Sequence, residues 1–315
     1  MQAQEYAMAK WAIGLRLKKS NDTLIEKAFN EGRILRTHAL RPTWHFVAPE
    51  DIRWILQLSA PRIRQVMTYY NRQLELDKKV FNKSFNILTE ALEGGKHLTR
   101  TSLQSALSDK KIIATGQRLA HIMMEAEQEQ LVCSGARQGK QFTYALLDER
   151  APAVKSVSRE EALSNLMNRY FTSRGPATLQ DFVYWSALTM KDAVAGAATL
   201  SSSFVSEKFD GQEYIFIPPS SKAKSTTSFL MPDYDEYGMS YKDRSALLPI
   251  NKLKGPKASI VFNRMVVIDG RIEGTWQRTL TKKSVEIKLA PFRPLSKSEQ
   301  QKVGKAIKKF QGFLR

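Results

Sequence analysis

Two glutamines flank one alanine at the start of the chain, Gln2-Ala3-Gln4, and an apolar pattern of helical period follows (QAQEYAMAKWAIGLR). A carboxamide does not titrate near neutral pH, so neither residue can act as a true general acid or base. Its carbonyl can still accept a hydrogen bond from water and aim a dipole at developing positive charge. Against this, two side chains at positions 2 and 4 of an ideal helix stand about 200° apart, and glutamines at a terminus are ordinarily solvated. A second polar group is Thr37, Arg41, Thr43 and His45. A period of two puts these on one face of a strand if Pro42 leaves the register intact, with Trp44 on the opposite face. That face offers hydroxyls, a guanidinium and an imidazole to a phosphate or sugar, or forms a structural hydrogen-bonded cluster. A third group is acidic: Asp233, Asp235 and Glu236, with Asp243 and Arg244 close behind. Paired carboxylates can do acid–base work; they can equally hold Arg244 or other cations in buried pairs that order the fold, and that structural reading is the expectation here.

The surroundings are basic. The 315 residues carry a net charge of +18, and from Pro218 onward twenty Lys or Arg face eight Asp or Glu. Such a surface attracts polyanions, duplex DNA first among them, through phosphate contacts with little sequence preference. No apolar run approaches the ~20 residues that span a bilayer. No secretory signal pattern opens the chain. One cysteine, Cys133, rules out an internal disulfide and points to a reducing compartment; with DNA as the partner, the expected location is the cytoplasm, at the nucleoid. With His38, His45, His97 and His121 dispersed, no metal site or cofactor is expected, and the chain reads as a monomer.

The elements that must position these groups come in repeated order. FNILTEALEGG, RTSLQSALSD and GQRLAHIMMEAEQEQ read as three helices, and LVCSGARQGKQFTYALLD as a hairpin with a basic loop. Three helices and a β-hairpin wing make a winged helix. Arg137 and Lys140 sit in that wing as phosphate contacts. The order returns in SREEALSNLMNRYFTSRG, ATLQDFVYWSAL, MKDAVAGAATL and SFVSEKFDGQEYIFI, with Asp210-Gly211 at the hairpin turn. The first segment reads as a copy lacking its first helix. The predicted class is α+β: three tandem winged-helix motifs and a β-rich C-terminal domain closed by a basic helix. The expected domains are 1–83, with connecting helices, 84–150, 151–220 and 221–315.

QAQ, RTHALRPTWHFV, PDYDEYGMSYKDR and VVIDGRIEGTW, in this order, resemble the AlkZ-like family of winged-helix DNA glycosylases. The resemblance extends over nearly the whole chain. It implies tandem winged helices and a β-rich domain forming a basic concave channel for duplex DNA. It also implies excision of alkylated bases, in some members from interstrand crosslinks. The family's catalytic motif, Gln, a small or aliphatic residue, then Gln or Asp, falls on Gln2, Ala3 and Gln4. Family members carry a further helix ahead of it, whereas Met1 stands one residue before it. Glutamines suit such a reaction when the base is a cationic alkylpurine. That base departs as a neutral molecule, so water must be oriented and the sugar cation stabilised, but no strong acid is needed. No lysine lies at the motif, so a Schiff-base lyase step is not expected. The resemblance thus implies a monofunctional, metal-independent hydrolase. Composition and repeats alone fit equally well a non-catalytic, multi-winged-helix DNA-binding or regulatory protein.

Overall fold

The computed structural model describes residues 1–220, 227–248, 262–281 and 284–315. Helix α1 spans Tyr6–Arg16, and its first helical bond runs from the Ala9 amide to the Glu5 carbonyl. The glutamines, expected inside this helix, therefore precede it. Helix α2 (Asp22–Asn30) stops at Gly32, which takes a φ of +79°. Strands β1 (Leu35–Ala39) and β2 (Thr43–Val47) pair in antiparallel register. Helix α3 (Ile52–Gln73) runs unbroken through Pro61, where the sequence suggested more than one helix.

Asp77 then caps α4 (Lys78–Leu92), its carboxylate accepting from the Val80 amide at 2.7 Å. Gly94 and Gly95 follow at positive φ, and their amides donate to the Glu149 carboxylate. Next come β3 (Leu98–Thr99), α5 (Arg100–Asp109), α6 (Gln117–Gln128), β4 (Val132–Ser134), β5 (Thr143–Leu146) and α7 (Leu147–Arg150). The three strands form one antiparallel sheet in the order β3-β5-β4. Leu88 and Leu92 of α4, Leu103 and Leu107 of α5, and Leu119, Ile122 and Met123 of α6 are buried together. Their spacing by three and four is the stripe that makes each helix amphipathic.

Helices α8 (Arg159–Arg174), α9 (Leu179–Ser186) and α10 (Met190–Ala197) precede a hairpin of β6 (Val205–Phe209) and β7 (Gln212–Phe216). Asp210 and Gly211 both take positive φ at its turn, the two-residue geometry that suits the twist of the strands. Strands β8 (Ser228–Leu230), β9 (Met265–Ile268), β10 (Arg271–Leu280) and β11 (Val285–Pro291) build a sheet ordered β11-β10-β9-β8. The short helix α11 (Glu236–Met239) lies between β8 and β9 in sequence. Asp269-Gly270 repeats the positive-φ turn between β9 and β10. Residues 249–261 and 282–283 of the expected β-rich C-terminal domain lie outside the described residues. Helix α12 (Lys297–Phe313) begins in a capping box of Ser296 and Glu299 and sets Phe310 against Trp11 and Trp276.

The class is thus α+β, with antiparallel sheets. The chain divides into two compact units. One, here the terminal unit, comprises Met1–Glu26, Arg169–Trp185 and Leu200–Arg315; the other, the central unit, comprises Lys27–Asn168 and Ser186–Thr199. The domain boundary expected after residue 83 falls inside α4, because the helix starts at its Asp77 cap rather than at the apolar run FNIL. Residues 151–220, expected as one domain, contribute to both units.

Candidate active site

In the terminal unit, Gln2 and Ala3 are buried while Gln4 is exposed. With Gln2 and Gln4 ahead of α1, their separation on an ideal helix no longer applies. The segment is fixed from far away in sequence: the Gln2 backbone N–H donates to Oε1 of Glu236 at 2.9 Å. Glu236 is buried at the first turn of α11. Its Oε2 accepts from Arg174 Nη2 and from the indole of Trp185, each at 2.7 Å. The Arg174 guanidinium lies 4.6 Å from the Trp185 ring and donates from Nε to the Ser240 hydroxyl at 2.8 Å. A charge taken out of water is tolerable when it is paired and hydrogen-bonded in this way. Glu236 is therefore a cross-brace whose carboxylate holds the end of α8, α9 and the glutamine segment.

The rest of the acidic group is absorbed similarly. Asp235 is buried, receives both guanidinium nitrogens of Arg16 at 2.8 and 3.0 Å, and caps α11 through the Tyr237 amide. Burial disfavours the charge on Arg16, yet the hydrogen bond and charge of Asp235, with the charge of Glu236, outweigh it, and its pKa stands above the ordinary arginine value. Asp233 accepts from Arg264 Nε at 2.7 Å. Asp243 closes a local turn by accepting from the Ser245 amide. Arg244, expected as the partner of these carboxylates, instead donates to the Gly238 carbonyl and the Tyr184 hydroxyl and lies 5.1 Å from the Tyr184 ring. The short turn after α11 aims it at a carbonyl, and Arg16, Arg174 and Arg264 take the carboxylates.

The hairpin residues belong to the central unit. Thr37 pairs directly with His45, and Thr43 follows on the same face. Arg41 does not join them. Leu40, at a φ of +59°, opens a three-residue connection through Arg41 and Pro42 that closes the hairpin from Ala39 to Thr43, so Arg41 lies in the turn. His45 Nδ1 lies 2.9 Å from the Thr43 carbonyl. The Thr37 and Thr43 hydroxyls are buried with no hydrogen-bond partner among the described residues. Trp44 faces the other way, with the Arg36 guanidinium 4.0 Å and the His38 ring 3.8 Å from its centre. His38 in turn meets the buried Glu127 at 2.5 Å. In the β4–β5 loop Lys140 is exposed, while Arg137 bonds the Lys140 carbonyl and stacks on Phe142.

Arg16, Arg174, Trp185 and Arg36 escaped sequence reasoning. Nothing local in the sequence links Arg174 or Trp185 to a carboxylate more than fifty residues on.

A family model described as DNA glycosylase AlkZ-like matches residues 1–313. An interstrand DNA cross-link repair glycosylase of Streptomyces sahachiroi is 23% identical over 297 residues, covering 88% of this chain and 79% of that protein. The solved structure of Streptomyces sahachiroi DNA glycosylase AlkZ superposes with a TM-score of 0.82 at 20% identity, covering 100% of this chain and 89% of that one. This chain belongs to the AlkZ-like family of DNA glycosylases.

Proposed function

We propose that the protein is a DNA repair glycosylase that hydrolyses the N-glycosidic bond of cationic alkylated purines in duplex DNA, interstrand crosslinks included. Gln2 and Gln4 are its catalytic residues. The observation that carries this reading is the pinned glutamine segment: Gln2 is buried and tied through its amide to Glu236, and Gln4 next to it is exposed, where substrate and water can reach it. As the C1′–N bond breaks, its electron pair goes to the positively charged base, which departs neutral. The Gln4 carbonyl accepts a hydrogen bond from the water that attacks C1′, and the water's proton passes to solvent. The carbonyl dipoles of both glutamines stabilise the sugar cation. Neither step asks a side chain to titrate or a metal to assist, and no amine attacks the sugar, so the reaction stops at base release. Asp233, Asp235 and Glu236, engaged with arginines, serve as structure rather than as acid or base.

For the fold, the order α4, β3, α5, α6, β4, β5 with its three-stranded sheet supports a winged helix over residues 78–146. The order α8, α9, α10, β6, β7 supports another, and α1, α2, β1, β2 a shortened first copy. Thr37, Thr43 and His45, whose polar atoms are buried, shape the hairpin rather than touch the nucleic acid, and Arg137 and Lys140 provide contacts to its phosphates. The protein works as a monomer in the cytoplasm, at the nucleoid. The test is release of N7-methylguanine from methylated duplex DNA without added metal. Gln4→Ala should cut the single-turnover rate by roughly 10²-fold, the usual loss for a key dipolar group, with DNA affinity nearly unchanged. Binding of methylated DNA without any base release would instead favour a non-catalytic DNA-binding protein.

A further inference from the structure

The central unit contains a cavity of about 430 Å³ that the glutamine chemistry does not use. Strands β1 and β2, the start of α5 and the β4–β5 hairpin contribute its wall. Arg36, Arg100 and Lys140 line it, and among the described residues no Asp or Glu does. Arg36 is buried, with its guanidinium between the rings of Trp44 at 4.0 Å and Phe142 at 4.5 Å. A guanidinium already clamped between two rings loses little freedom when it meets an anion, and its planar fork matches phosphate oxygens. Arg100 and Lys140 are exposed beside it, and Arg100 is steadied by the Gly116 carbonyl at 2.9 Å. Ser134 and Tyr144 complete a lining that is cationic and aromatic together. The volume falls within the range of about 300–1,000 Å³ typical of small-ligand sites, room for one nucleotide.

We propose that this cavity is a phosphate-ester subsite that seats one nucleotide, its phosphate on Arg36, Arg100 and Lys140 and its sugar or base against Trp44, Phe142 and Tyr144. In the function proposed above, on which the choice of a DNA strand as the source rests, the subsite grips the strand at a wing and fixes where the duplex lies on the protein. A free nucleotide offers the same chemistry, so the experiment has two arms. In the first, duplex affinity is measured against salt concentration for the wild type and for Arg100→Ala/Lys140→Ala. Losing two phosphate contacts should reduce the magnitude of the log–log slope by about 2. In the second, backbone amide shifts of Thr101, Ser134 and Gln141 are followed during titration with deoxyadenosine monophosphate and with deoxyadenosine.

Both substitutions alter exposed side chains, and a thermal melt checks that the double variant remains folded. A reduced slope without equal shifts from deoxyadenosine assigns the site to the DNA strand, and shifts with the monophosphate alone but an unchanged slope assign it to a free nucleotide. An unchanged slope with no shifts overturns the proposal, as do equal shifts with deoxyadenosine. Neither arm measures excision, so a wild type that releases no base would remove the glycosylase reading and leave this one to stand or fall on its own.

Discussion

Replacing Glu236 by Gln keeps its shape and removes one acceptor. The carboxylate takes the Gln2 amide on one oxygen and Arg174 and Trp185 on the other. A carboxamide has one oxygen and one NH₂. The oxygen will turn towards Arg174, Trp185 and the Ser240 hydroxyl, where three donors converge, which leaves the NH₂ facing the Gln2 backbone N–H at a separation of 2.9 Å in the wild type. Two donors repel at that distance, and the glutamine segment loses its tie. A lost charge-assisted hydrogen bond costs about 1.5–3 kcal/mol, and the weakened contact to Arg174 adds roughly 1 kcal/mol. With about 2.1 cal/mol/K of unfolding entropy per residue over 315 residues, each kcal/mol shifts the melting temperature by about 1.5 °C, so it should fall by roughly 4–6 °C. The protein remains folded at 25 °C, so activity can be read separately. A misplacement of about 1 Å costs up to 10²-fold in rate, and single-turnover release of N7-methylguanine at saturating protein should fall by about that factor, with DNA affinity within roughly twofold. A lower melting temperature with an unchanged excision rate would show that the tie does not position the glutamines. A lost rate with an unchanged melting temperature would make Glu236 a group that acts on the substrate, against the reasoning here.

Asp235→Asn should lower stability by about 2 kcal/mol, below the usual 3–5 kcal/mol for breaking a buried pair, in a urea titration. Arg16 is 41% exposed and recovers water, and Asn still caps α11; an excision rate per folded molecule that collapses instead would assign Asp235 to catalysis. Gln4→Glu should retain excision within about tenfold, because an exposed carboxylate still accepts from water and stabilises the sugar cation better than a dipole. If it is as inactive as Gln4→Ala, the acceptor role is wrong. Burial, then the charge of Arg150, lowers the His97 pKa, and its Nδ1 accepts from the Ala136 amide. The unfolded chain therefore binds a proton at His97 at higher pH than the folded one, and stability falls as pH drops from the unfolded value towards the lower folded one. His97→Gln should flatten the urea-derived stability profile between about pH 7 and 5, and an unaltered slope would refute the assignment.

Local chemistry made much of the fold legible in the sequence. Leucines at helical spacing mark α4, α5 and α6, and Asp-Gly pairs mark the β6–β7 and β9–β10 turns. These signals act over a few residues, through backbone sterics and the period of one exposed face, so they survive without knowledge of the rest of the chain. Charge is likewise a property of composition, and +18 points to a polyanion in any fold. Gln2 and Gln4 stand out at the start of the chain, but only the family resemblance gave them a catalytic reading, since two carboxamides have no local signature.

Partnership was decided by tertiary structure. The Gln2 amide meets Glu236 across 234 positions, and Glu236 meets Arg174 across 62. With 49 Lys or Arg and 31 Asp or Glu, proximity in sequence says little about which pairs form. Arg244 lies beside Asp243 and yet bonds a carbonyl and a phenol, while Arg16 travels 219 positions to Asp235. Buried charges must be matched one to one, and the match depends on which elements the closing of the chain brings together. The same holds for the stretch ahead of α1: the helix begins at Tyr6, and Gln2 before it is bonded to Glu236 of α11.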